Sequence, residues 1–307
     1  MWGGGPGGGF RFTECRLDLM TTIARVREAL EEVLGPGAVA THRHNHTGTD
    51  KLSFEVLAGG ERLWAKVAAD NEEDAGLRTW ASVASQLADR HGAPPVLEVL
   101  EVAGRTGLLF PFLDDAVANP TTVRDKYAEV QAVLDGLHAD RDLAERLGGP
   151  TTSTAVFRDV WVSSFEADLR IIAGYVAPEV HQYLTAEVQV LAGLVDSLDQ
   201  QVHVAMHGDP WHENVLLGPE RVWLLDWEEL SVGDPVIDDA ILLMDARGAH
   251  AADWPTGQRY DVARRALMLD AAVDGAADWL QNSDPVIRAS KKMAYLDGLA
   301  AYRAYAT

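Results

Sequence analysis

Apolar residues recur at helical spacing from Leu19 to Leu34, and the pattern stops at Gly35-Pro36-Gly37. Alternation then takes over. Val39–His46, Lys51–Leu57 and Arg62–Ala68 read as three strands, the last two joined by Ala58-Gly59-Gly60-Glu61, a good hairpin signal. A helical stretch over Glu72–His91 precedes a second strand pair, Val96–Val102 and Thr106–Phe110, around Gly104. Beyond Asp114 the chain turns to long helical patterns: Thr121–His138, Ala155–Ala177, Glu179–Asp199, Pro235–Arg247, Gly257–Gln281 and Pro285–Ala304. One short hairpin interrupts them, Val215–Leu217 and Val222–Leu225 around Gly218-Pro219-Glu220-Arg221. The order predicts an α+β protein, β-rich over residues 20–113 and mostly helical over 114–307, with the boundary near Phe112–Asp115. Trp2–Gly9 is too rich in glycine to bury a core, so residues 1–19 are expected to be disordered, and Met20 offers an alternative start.

A chain of 307 residues suits one large or two closely joined domains. No uninterrupted apolar run approaches the ~20 residues needed to span a bilayer, and Met1–Phe10 does not resemble a secretory signal. The single cysteine, Cys15, excludes an internal disulfide framework and fits a reducing compartment, so the cytoplasm is the expected location. A net charge of −21 opposes nucleic-acid binding, which needs a basic face. The acid is unevenly spread: residues 1–113 carry a balance of −4 and residues 114–307 one of −17. That excess is either a solvated surface or a region that attracts cations.

The strongest chemical signal is His207-Gly208-Asp209-Pro210-Trp211-His212-Glu213-Asn214, followed by the hairpin and then Asp226-Trp227-Glu228. Phosphoryl transfer needs a carboxylate beside the attacking hydroxyl and oxygen ligands that hold magnesium on the phosphates. With Asp209 at a loop apex and Asn214 five residues on, one tight loop presents both groups to one cleft. The hairpin then returns the chain so that Asp226 lands beside Asn214, and magnesium favours such oxygen donors. Ordinary turn and loop-capping residues are the bland alternative, but the His-Gly-Asp context, the apolar hairpin and the second Asp are hard to obtain together by accident.

The segment 203–240 resembles the catalytic segment of the aminoglycoside phosphotransferase and choline kinase superfamily, distant relatives of protein kinases. The resemblance implies a two-lobed protein-kinase-like fold, with an N-terminal antiparallel sheet plus helix holding ATP and a mostly helical C-terminal lobe carrying catalysis and the acceptor. It implies Asp209 as catalytic base and Asn214 and Asp226 as Mg2+ ligands. Gly233-Asp234-Pro235-Val236-Ile237-Asp238 resembles the next element of the family, in which the last Asp braces the catalytic loop, so Asp238 and His207 are expected to have structural roles. Lys66, alternating inward in Leu63-Trp64-Ala65-Lys66-Val67, matches the lysine that grips nucleotide phosphate; a solvated strand lysine is the alternative. The family places a glutamate mid-helix to orient that lysine, yet no acid lies between Asp74 and Asp89. Either Glu72 or Glu73 substitutes, or the lysine is held differently. Residues 46–51, with Gly48, occupy the place of the nucleotide-covering loop, although a plain β-turn fits equally. Phe110-Pro111-Phe112-Leu113 occupies the place of the hinge whose backbone would bind adenine.

The C-terminal acid excess favours a cationic small-molecule acceptor, aminoglycoside-like or a related amine, with Glu213 and Glu228 as candidate contacts. A neutral sugar or a choline-like metabolite is the alternative, and a nucleotide-binding scaffold without turnover is the rival from another class. The His-Gly-Asp form and the short connection from Asp226 to Gly233 oppose a protein kinase. Neither nucleic acid nor membrane is an expected partner. His42, His44 and His46 share a strand face and could chelate a metal, though a half-exposed strand face explains them as well. His138 reads as a helix-end cation. Trp254, Trp279, Tyr295, Tyr302 and Tyr305 read as core rather than as an aromatic cage.

Overall fold

The computed structural model describes residues 12–43, 52–219, 221–249, 251, 254–282 and 285–306, with backbone alone over 12–21. Helix α1 (Phe12–Leu34) starts seven residues before its apolar periodicity does. Strands β1 (Val39–His42), β2 (Leu52–Ala58) and β3 (Glu61–Val67) lead to α2 (Asn71–Arg90), then β4 (Glu98–Val102) and β5 (Arg105–Pro111). The five strands form one antiparallel sheet in the order β1-β2-β3-β5-β4. Because successive strand residues point to opposite faces, the sheet is apolar on both sides. Phe54, Val56 and Leu109 pack with Ile23, Val26 and Leu30 of α1, while Leu108 and Phe110 pack with Leu77, Trp80 and Leu87 of α2. Asp70 caps α2, its carboxylate accepting the Glu72 and Glu73 N–H groups at 2.9 Å each.

The chain then runs through β6 (Ala116–Val117), α3 (Pro120–Asp125), α4 (Tyr127–Ala139), α5 (Arg141–Leu147), β7 (Thr151–Thr152) and α6 (Ser153–Phe157). A π-helical turn over Arg158–Ser163 joins α6 to α7 (Ser164–Ile172), which is followed by α8 (Pro178–Val195). Next come β8 (Gln201–Val202), β9 (Val204–Met206), β10 (Val215–Leu217), β11 (Val222–Leu224) and β12 (Ser231–Gly233), then α9 (Val236–Arg247), α10 (Gln258–Gln281) and α11 (Pro285–Ala306). The helix expected over Thr121–His138 is broken at Lys126, and the one expected over Ala155–Ala177 ends at Ile172. The two-residue strands and the seven-residue α5 are too short to leave a periodic signature. No helix of the described residues is long and apolar enough to cross a membrane.

Helix α2 joins the two regions. Its Leu77 and Trp80 pack into the same apolar cluster as Val130 and Leu134 of α4, Leu224 of β11 and Trp227. A separate core between α7, α8, α9, α10 and α11 fills the far end of the helical region. The site therefore lies where a rigid sheet, one shared helix and a small hairpin meet.

Candidate active site

The loop between β9 and β10 is held from below by one buried carboxylate. Asp238, fully buried on α9, accepts the backbone N–H groups of His207 and Gly208, each at 2.8 Å. His138 of α4 also reaches its Oδ2, at 2.9 Å. Burial would raise the Asp238 pKa, but the His138 hydrogen bond and charge prevail and hold it below the ordinary carboxylate range. For His138, burial opposes the charged form, yet the hydrogen bond and charge of Asp238 raise its pKa. His138 is thus a partner of the carboxylate that braces the 207–209 loop, a contact its place at a helix end did not reveal.

His207 is buried as well. Its Nε2 lies 2.8 Å from the Leu225 carbonyl and its Nδ1 accepts the Asp209 N–H at 3.2 Å, so the partners assign the proton to Nε2. Gly208 sits at φ +91°, and a Cβ there would lie 2.7 Å from Glu229 Cβ, so glycine is required by both conformation and space. Asn214, in a 3-10 turn over His212–Asn214, donates Nδ2 to Asp209 Oδ2 at 2.7 Å and to the Asp209 carbonyl at 2.9 Å. That leaves its Oδ1 turned away from Asp209. The Leu225 N–H bonds the Asn214 carbonyl at 2.8 Å, bringing Asp226 alongside. Asp226 adopts φ 56°, an uncommon left-handed conformation for a residue with a Cβ. An amide oxygen and a carboxylate fixed side by side are the hard oxygen donors that could hold a magnesium ion.

Lys66 is 2% exposed. Its Nζ lies 3.0 Å from Asp226 Oδ1 and hydrogen-bonds Glu228 Oε1. Glu228 was expected to face the acceptor, but its side chain is only 7% exposed and engaged on Lys66, so the acceptor assignment is corrected on geometry. Glu73 instead accepts the Ala69 N–H at 2.6 Å. Glu213 is exposed in the 3-10 turn. Gly48 lies outside the described residues, as do His44 and His46; His42 packs edge-on against Phe54 at 5.3 Å.

Between sheet and hairpin is a cleft of about 430 Å³ whose lining includes Trp64, Lys66, Trp80, Phe110, Phe112, Leu113, Leu216 and Asp226. Phe112 gives its N–H to the Arg62 carbonyl at 3.2 Å and lies under the Arg62 guanidinium at 3.5 Å. Pro111 has no N–H, so the backbone donor left to a base beyond the strand is that of Leu113.

On the helical side of Asp209, α10 carries Asp270, Asp274 and Asp278 at a spacing of four, hence along one face. Across from them on α7 is Asp168, 9% exposed, whose Oδ2 is buried without a hydrogen-bond partner among the described residues. Burial pushes Asp168 up to about 6, with the Asp278 charge adding to it. Burial pushes Asp274 up to about 7, helped by Asp278 and Asp168 and opposed by Lys291. Asp270 is raised well above the ordinary value by burial and by Asp274, Asp168, Asp278 and Asp209. Lys291 reaches Asp278 at 2.6 Å. The aromatic residues nearby are packed as core: Trp254, Tyr295 and Tyr302 are buried, and Trp279 stacks on Tyr295 at 5.7 Å.

The sequence profile of the phosphotransferase enzyme family matches residues 42–303. The chain belongs to that family. It is therefore a phosphotransferase, and the superfamily read from the 203–240 segment stands. No curated protein matches the chain. Among solved structures, a ternary complex of a thermostable mutant of aminoglycoside phosphotransferase APH(4)-Ia with AMP-PNP and hygromycin B aligns at 14% identity and TM-score 0.60, covering 90% of this chain and 98% of that one. Choline kinase LicA from Streptococcus pneumoniae aligns at 15% identity and TM-score 0.56, covering 90% and 98%. A choline/ethanolamine kinase family protein from Mesorhizobium loti aligns at 18% identity and TM-score 0.55, covering 92% and 99%. The phosphotransferase thus has the kinase-like fold of these proteins.

Proposed function

We propose that this phosphotransferase moves the γ-phosphoryl group of ATP to a hydroxyl of a small molecule that carries ammonium groups. The observation that supports it is the position of Asp209 between two unlike surroundings: an apolar cleft ending in Lys66 and Asp226, and the acids Asp168, Asp270 and Asp274, whose charges are opposed mainly by burial and by other carboxylates.

In this reading the cleft takes the base against Phe110, Phe112 and Leu113, and Lys66 grips phosphate. Asn214 Oδ1 and Asp226 would hold magnesium, which supplies charge neutralisation on the phosphates. The acceptor hydroxyl oxygen bonds to the γ-phosphorus, the bond from that phosphorus to the bridging oxygen of ADP breaks, and the hydroxyl proton passes to Asp209. Asn214 Nδ2 on Asp209 Oδ2 fixes the carboxylate for that transfer. Positioning and preorganised charge carry the catalysis. Ammonium groups of the acceptor would pair with Asp168, Asp270 and Asp274. The packed aromatic residues favour this over an aromatic cage for a choline-like cation. The lone cysteine supports a reducing compartment, the cytoplasm.

Thermal melts with ATP, with and without magnesium, followed by an ATP-consumption screen over aminoglycosides, amino sugars, choline-like amines and neutral sugars, test this. Magnesium with ATP should stabilise the fold by mass action. Multiply charged amines should be the best acceptors, with kcat/KM falling as salt rises. No shift with magnesium-ATP overturns the nucleotide reading. A neutral sugar as best acceptor, without salt dependence, overturns the cationic acceptor alone.

A further inference from the structure

A buried lysine needs a fixed counter-charge, because an ammonium removed from water is costly unless paired and hydrogen-bonded. The helix packed beside Lys66 offers none from its middle turns: between Asp74 and Asp89, α2 has no acid. At the position facing the site it has Gly76 instead. A Cβ on Gly76 would collide with the Glu228 carbonyl and lie 2.9 Å from Glu228 Cβ. The missing side chain lets the 3-10 turn Trp227–Glu229 press against α2 and carries the Glu228 carboxylate under the sheet to Lys66 Nζ. The turn is itself anchored, since Trp227 is fully buried and donates Nε1 to the Leu224 carbonyl at 2.6 Å.

We propose that Glu228 is the positioning residue of Lys66, and that Gly76 is the space that admits it. This rests on the reading of Lys66 as the phosphate-gripping lysine. Lys66 has two carboxylates, and they differ in what they can do later. Asp226 is 28% exposed at the cleft and is one of the donors suited to a cation, whereas Glu228 is 7% exposed and turned inward. When Asp226 is engaged by the cation that accompanies a nucleotide, Glu228 still holds Nζ at the mouth of the cleft. Without Glu228, Lys66 would fall onto Asp226 and compete with the cation for it. Glu228 and Lys66 therefore act as a unit, and the orientation of the lysine is tied to the turn after Asp226 rather than to a side chain of α2.

A double-mutant cycle separates this from other roles. Magnesium-ADP affinity is measured by calorimetry, and KM for ATP by turnover, in the wild type, Glu228→Gln, Lys66→Met and the double variant. Glu228→Gln should weaken magnesium-ADP binding roughly 10–100-fold, as removal of a group that orients a binding side chain does. In the Lys66→Met background the same change should cost at most about twofold, because interacting residues are non-additive. The double variant leaves no unpaired buried ion, so it should fold even if Glu228→Gln does not; in that event Glu228→Asp, which keeps the charge but retracts it, replaces Gln in the cycle. Unaltered affinity in the single variant overturns the proposal. So does an equal loss in both backgrounds, which would mean that Glu228 acts on the cation itself. Absence of magnesium-ADP binding by the wild type would overturn the nucleotide reading, and this proposal with it.

Discussion

The two sides of Asp209 treat charge in opposite ways. On the sheet side every charged group lining the end of the cleft has its counter-charge within the protein: Lys66 is shared by Asp226 and Glu228. On the helical side, Asp168 keeps a buried oxygen with no hydrogen-bond partner among the described residues, and Asp270 and Asp274 are raised by burial and by neighbouring carboxylates. A paired arrangement is stable on its own and holds its shape before a ligand arrives. An unpaired one is costly when charged, and a proton or a cation relieves that cost. The first is preorganised, and the second answers to pH and to added charge.

The largest expected effect tests the boundary between the two sides. Asp209→Asn keeps the shape of the loop, including the Asn214 contact to the Asp209 carbonyl. Turnover should fall ~10²–10⁴-fold, the usual worth of a positioned proton acceptor, with magnesium-ADP affinity retained by calorimetry. Full activity on a confirmed acceptor would remove Asp209 from the mechanism.

An intermediate effect tests the unpaired side. Asp270→Asn or Asp274→Asn should raise the acceptor KM on the order of tenfold, since a hydrogen bond to a charged group is worth about 1.5 kcal/mol or more, and leave the ATP KM unchanged. The same substitutions should raise Tm at pH 8, because each removes a repelling charge. A KM that stays put, with a higher Tm, would make the cluster a cost with no ligand attached to it.

The smallest effect is in pH. Asp168 and Asp274 rise from an ordinary value of 3.8 to about 6 and about 7 in the folded state. A carboxylate raised on folding holds its proton longer in the native than in the unfolded chain, so its contribution to stability is lost as pH climbs from about 4 through about 7. Tm should therefore fall over that window, and an ammonium-bearing acceptor should restore more of it at pH 8 than at pH 6. Acceptor KM should drop over the same range. A Tm that rises with pH there would mean the cluster is not protonated in the folded protein.

Much of the architecture was legible because it is written in local periods. Strands β2 and β3 alternate and close on a glycine hairpin, and Asp209, Asn214 and Asp226 are bound into one loop and one hairpin. What escaped notice depends on distant pairings. Glu228 meets Lys66 across 162 residues, and the only trace in the sequence is negative, a helix with no acid between Asp74 and Asp89. Asp270, Asp274 and Asp278 have a visible spacing of four, but their face could not be chosen. Helix α10 is lined with Ala263, Ala266, Ala272, Ala276 and Ala277, all buried, and has no single apolar stripe to orient it. His138 does end a helix as a raised-pKa base, but its partner, Asp238, is buried on another helix 100 residues away and leaves no local trace.

The connection between sheet and helices has a mechanical consequence. On one side Phe112 is tied to Arg62, and Arg62 also reaches Asp114 at 3.0 Å. On the other, Trp223 holds Asp115 at 2.8 Å, β6 pairs with β10, and the Ala118 N–H bonds the Val215 carbonyl at 2.8 Å. Leu113 alone lies between the moorings at Phe112 and Asp114, and Asp115 follows directly. So short a span sets the register of sheet against hairpin: neither can slide past the other without breaking one of these hydrogen bonds. The far end of the cleft is closed in a different way, by side-chain charge, where Lys66 of the sheet bonds Asp226 and Glu228.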